Sequence, residues 1–127
     1  MSATADHTIL AHIASLPVYG EVLLDDFRKQ RRILVVPTES MALASRVAGD
    51  DSPSLSMLLQ RPATVKWSEL DPTTALRLGQ HVPLLDRLAE WSMVAPVVWA
   101  SQRHDIPVLT RQPELYEGHH VMVVQAP

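Results

Sequence analysis

The apolar run Ile33-Leu34-Val35-Val36-Pro37 is continuous, the pattern of a strand covered on both faces. Val65-Lys66-Trp67, within 64–70, alternates more weakly and predicts a second strand. Ile106 to Leu109 and Val121 to Val124 predict two more. The stretches between them have helical spacing. Tyr19, Val22, Leu23 and Phe27 share one helical face, and Met41, Leu43 and Val47 predict a short helix. Leu55, Leu58 and Leu59 predict a further short helix. The turn before it is Gly49-Asp50-Asp51-Ser52-Pro53, with Ser52 as cap and Pro53 at the first helical position. Asp71 and Pro72 open a longer helix with Leu76, Leu84, Leu85 and Leu88 along it. Pro83 should break that helix in two, and Pro96 should open the helix that holds Trp99. Residues 1–5 are short and weakly apolar, yet they stand where a first strand is needed. Strands alternating with helices predict an α/β fold, a three-layer α/β/α sandwich with a mostly parallel sheet. With no repeat, low-complexity tract or linker, residues 1–127 are expected to form one domain.

Composition narrows the chemistry. A formal net charge of -3 gives no global basic field for nucleic acid. The absence of cysteine excludes disulfides and thiolate metal sites. No apolar stretch is long enough for a bilayer, and residues 1–7 lack the pattern of a secretory signal, so a cytoplasmic protein without a membrane role is expected. There is no Gly-rich phosphate loop, Gly-x-Ser-x-Gly elbow or zinc signature, and 4 glycines make a dinucleotide-binding loop improbable.

The segment from Val97 to Tyr116 reads as a helix entering a short buried strand that stops at Thr110. It resembles the last βα unit of PIN-like domains, the fold of the VapC-type toxin ribonucleases. Ala5-Asp6-His7-Thr8-Ile9-Leu10 resembles that family's opening box, with Asp6 in the acid position and Thr8 in the hydroxyl position. Val35 to Ala44 resembles its second strand and following helix. The resemblance implies four clustered acids holding Mg²⁺ or Mn²⁺ for RNA cleavage. Here the second acid position falls near Ala42 or Leu43, and the third falls within Met93-Val94-Ala95-Pro96. The fourth, in Thr-x-Asp, is Gln112. Asp6 alone is kept.

Two expectations follow. The first is a PIN-like protein with a degenerate nuclease site, acting as a binding or regulatory module. Thr8, Thr110, Gln112 and Glu114 would be its binding residues. Its partner would be a regulatory or antitoxin-like protein, and pairing into a homodimer is also implied by the resemblance. The second is an active or attenuated metal-dependent endoribonuclease. Asp6 and Glu39 would then be catalytic, Asp6 would hold the Mg²⁺ or Mn²⁺, Glu114 would be recruited, and RNA would be the substrate. The plainer reading puts Glu39 in a first helical turn, where the macrodipole favours it, and makes Asp71 and Glu114 cap or loop residues.

Other polar clusters carry less. Arg28-Lys29-Gln30-Arg31-Arg32 reads as a solvated helix end rather than a phosphate grip. His119-His120 on a strand would face opposite ways, and His7 and His12 are poorly spaced for one helix face. Trp91 and Trp99 are expected in the core or at an interface, and Asp105 in a helix-to-strand turn with His104. A phosphoreceiver reading fails because the final strand ends in Gln125-Ala126-Pro127, without a lysine.

Overall fold

The computed structural model describes residues 2–48, 53–85 and 87–126. Five strands form one all-parallel sheet: β1 (Ala3–Ala5), β2 (Leu34–Pro37), β3 (Val65–Ser68), β4 (Val108–Thr110) and β5 (Val123–Gln125), in the order β3-β2-β1-β4-β5. Helices α1 (His7–Ser15) and α2 (Pro17–Lys29) connect β1 to β2. Helices α3 (Thr38–Ala48) and α4 (Pro53–Ser56) connect β2 to β3, and α5 (Pro72–His81) and α6 (Leu88–His104) connect β3 to β4. A single 3-10 turn, Pro113–Tyr116, lies between β4 and β5.

The strand order explains the layers. Crossovers from β1 to β2 and from β2 to β3 step in one direction, while the crossover from β3 to β4 steps back past β1. With a fixed crossover hand, the two sets of helices fall on opposite faces. The cores agree. Ile9, Leu10, Ile13, Leu24, Phe27 and Leu58 pack with Ala3, Ala5, Leu34, Val36 and Leu109 on one face. Leu78, Val94, Val97, Val98 and Tyr116 pack with Val108 on the other. Val108 and Leu109 divide between the cores because successive strand residues face opposite ways.

Residues 3–5 supply the central strand, small and wholly buried, between β2 and β4. β4 starts two residues later than the apolar run, because Pro107 has no N–H for the ladder; its carbonyl instead accepts from the Thr4 N–H at 2.9 Å. β5 is likewise displaced, to Val123–Gln125, by its register on β4. His119 and His120 therefore lie ahead of the strand, in a bend.

Pro96 does not open a helix. It is buried inside α6, eight residues past its start at Leu88. A mid-helix proline costs about 3 kcal/mol, and α6 offsets this by burying Val94, Ala95, Val97 and Val98, at roughly 1.5–3 kcal/mol for each large aliphatic side chain. The helix ends at Asp105, in the left-handed region at φ 52, which Asp tolerates better than most residues.

The helix starting at Asp71 ends at His81, ahead of Pro83, and Leu76, Leu84, Leu85 and Leu88 are exposed rather than core. Val22, Val47 and Leu59 are exposed as well; Gly20, Leu24, Ser40 and Ala44 take the buried positions of α2 and α3. The Gly49–Ser52 turn lies outside the described residues. Among the described residues no helix is long and apolar enough to cross a membrane.

Candidate functional site

The strand order switches direction between β1 and β4, which run parallel. β1 is followed by a crossover to β2 on one side, while β4 leads to β5 on the other. The carboxyl ends of these two strands form the crevice where open α/β sheets place ligands. Asp6 follows β1 and Thr110 ends β4, so these two residues occupy the lips of that crevice.

Asp6 is fully buried, and its carboxylate is already engaged. It is the N-cap of α1. Oδ1 accepts from the Thr8 N–H at 3.0 Å, the Ile9 N–H at 3.2 Å and the Thr8 hydroxyl at 2.5 Å. Oδ2 accepts from the Thr110 hydroxyl at 2.5 Å and the Tyr116 hydroxyl at 2.7 Å. A carboxylate has about four lone-pair sites, and five donors already converge on this one. Thr8 and Thr110 each have a single hydroxyl hydrogen, and both hydrogens go to Asp6. The two oxygens, 3.1 Å apart, then accept from the next backbone N–H groups, Arg111 to Thr8 at 2.9 Å and Gln112 to Thr110 at 3.0 Å. The cluster thus ties β1, α1, β4 and the 3-10 turn together. Burial, then the Asp6 charge and the hydrogen bond to it, push the Tyr116 phenol far above its usual range, so it remains a donor.

The sequence-predicted residues divide. Asp6, Thr8 and Thr110 come together in this cluster. Gln112 joins only through its backbone, and its residue is exposed. Glu39 stands in the first turn of α3, where its Oε1 is buried without a hydrogen-bond partner. Glu114 lies in the 3-10 turn beside a cavity of about 380 Å³, lined also by Trp91, Glu90, Glu117 and His119. Asp71 caps α5 by accepting from the Thr74 N–H at 2.7 Å, and that bond holds its carboxyl below the usual range.

These residues do not fit a hard divalent cation. Such an ion wants several free oxygen ligands, and the oxygens of Asp6 are taken. Among the described residues no three His, Asp or Glu side chains gather into a metal-binding group. The crevice also carries a cation of its own: the Arg111 guanidinium lies 2.9 Å from Nδ1 of His12. The His12 ring meets Tyr19 edge-on, with ring centres 4.4 Å apart. Burial, then the neighbouring Arg111, hold the His12 pKa below its ordinary value. Burial also lowers that of His7, against the opposing pull of Asp6, and Nδ1 of His7 is buried without a partner.

Sequence pattern alone does not mark Tyr116 or Arg111, and it gives His12 only as one of a poorly spaced pair with His7. A signal for Tyr116 exists in hindsight. Pro113 favours a tight turn after β4, and a buried tyrosine hydroxyl needs an acceptor. No family model, no curated protein and no solved structure matches the chain.

Proposed function

We propose that the chain is a PIN-like domain in which the metal centre has become a structural hydrogen-bond cluster, so that the protein works by binding rather than by cleaving RNA. The observation that carries this reading is the saturation of Asp6 by five donors. A carboxylate spent on holding four elements together has no lone pair left for Mg²⁺ or Mn²⁺. The Arg111 guanidinium, against His12 of α1, adds positive charge to the crevice and disfavours a divalent cation further. A central β1 with Asp6 directly after it supports the reading.

In this reading the partner is a regulatory or antitoxin-like protein or a second copy of the chain. Leu84, Leu85 and Leu88, exposed where α5 gives way to α6, offer apolar surface for it. The alternative, a nuclease rebuilt on Asp6 and Glu39, rests on the unpartnered Oε1 of Glu39. Calorimetric titration with Mn²⁺ and an RNA cleavage assay, both on wild type and Asp6→Asn, separate the two. No saturable Mn²⁺ binding and no cleavage are expected of either protein. Mn²⁺-dependent cleavage that is lost in Asp6→Asn would overturn the binding reading and establish the alternative.

A further inference from the structure

Next to the Asp6 cluster lies a cavity of about 390 Å³, lined by α1 residues His7, Thr8 and His12, by Val47 of α3, and by Arg111 and Gln112 after β4. We infer that this cavity binds a phosphate group, carried as the phosphomonoester of a nucleotide-sized ligand. The inference deepens the binding reading above and rests on it: it names what the crevice takes in place of a metal.

The lining is rich in donors. Arg111 has five N–H groups in a fork that suits phosphate oxygens, and one geometry places that fork against His12. With the guanidinium donating to Nδ1, the His12 ring has its own N–H on Nε2. The His12 ring also packs edge-on against Tyr19. The Gln112 side chain adds a neutral amide with two N–H groups. Arg111 takes part in no ion pair among the described residues. No carboxylate is among the described residues that line it. Asp6, the acid next to the lining residue His7 in the chain, is fully buried and its charge is met by its own donors. A guanidinium with no counter-ion among the described residues, an imidazole N–H and a primary amide around one cavity leave an anion with several acceptor oxygens as the complement. The amides at the start of α1 are not needed for this, since Asp6 already caps them.

Two features favour an ester over the bare ion. The volume exceeds that of a single oxyanion, whose share of space is of the order of a few water molecules at roughly 30 Å³ each. Ala11 and Val47 also give the cavity apolar wall beside its charged end, which suits a ligand with a carbon body.

Titration of the full chain in metal-free buffer with EDTA, followed by calorimetry or amide NMR, tests this. The probes are 5′-AMP, inorganic phosphate and adenosine. Wild type is expected to bind 5′-AMP saturably and adenosine not at all. Arg111→Ala should weaken 5′-AMP binding about tenfold or more, as expected for losing a charge-assisted pair. Gln112→Ala, which leaves the Arg111–His12 contact in place, should weaken it by a smaller factor. Thermal midpoints of both variants check that the fold is kept. Inorganic phosphate binding tighter than 5′-AMP would overturn the ester assignment. Absence of saturable 5′-AMP binding, or equal binding by wild type and both variants, would overturn the site. Because no Mn²⁺ is present, neither result depends on the metal and cleavage assays, and those assays fail or succeed independently.

Discussion

At the scale of single residues the cluster around Asp6 makes a strong claim, because a buried carboxylate is costly unless its oxygens are satisfied. Tyr116→Phe removes one donor to a charged group and is expected to lower stability by ~1.5–3 kcal/mol. Asp6→Ala removes the cap of α1 and also orphans the hydroxyls of Thr110 and Tyr116; a loss of ~3 kcal/mol or more is expected. Urea denaturation of the three proteins checks both values, and an unchanged Tyr116→Phe midpoint would mean that the phenol contributes nothing. A pH dependence follows from the same bond. In the fold the Tyr116 phenol is pushed up by burial and by Asp6, whereas the unfolded chain ionises near pH 10. Its contribution is therefore complete below about pH 10 and is lost as pH rises beyond that. Wild type should show this alkaline decline, and Tyr116→Phe should show less of it. Asp6 was legible in the sequence as a special residue, but its partners were not. Tyr116 is 110 positions away, and no local pattern encodes a contact of that separation.

At the scale of elements, two helix glycines separate packing from propensity. A methyl group added at Gly20 in α2 would lie 2.7 Å from Cγ2 of Ile13, while at Gly79 in α5 it would meet nothing within 4 Å. Glycine costs a helix ~1 kcal/mol relative to alanine. Gly79→Ala should therefore raise stability by about 0.5–1 kcal/mol. Gly20→Ala should lower it, since forcing a methyl into a filled core costs about 1–3 kcal/mol and outweighs the propensity gain. Thermal midpoints that move the same way in both variants would contradict the tight α1–α2 contact. The strands were readable where they run apolar, as in Leu34 to Pro37, because a parallel strand is buried on both faces. Helix faces were less readable. Leu76, Leu84, Leu85 and Leu88 have the spacing and size of core residues and yet are exposed, while the small residues Gly20 and Ala44 let helices approach closely and give no hydrophobic signal.

At the scale of the whole molecule, the fold class was legible because element order constrains it, and layer assignment follows from strand order once β1 is placed in the centre. Charge behaviour was not legible, since burial decides it. His7, His12, His104 and His119 lie on different elements, and burial is the leading cause that lowers each of their pKa values. The shifts have one sign, so their effects add. The unfolded chain takes up protons near the ordinary histidine value of about 6.5, while the folded chain resists them until lower pH. The folded state thus has its full stability above about pH 6.5 and loses part of it as pH falls from there toward the lowered values. His7 should dominate, being more deeply buried than His12 and having an Nδ1 without a hydrogen-bond partner. Urea midpoints at about pH 7.5 and about pH 5.5 are expected to fall on acidification with an unchanged slope, and His7→Gln should shrink that fall. A midpoint that is flat or rises between those pH values would mean that the crevice histidines are open to water, and that the wall of the cavity beside Arg111 is looser than the packing of α1 requires.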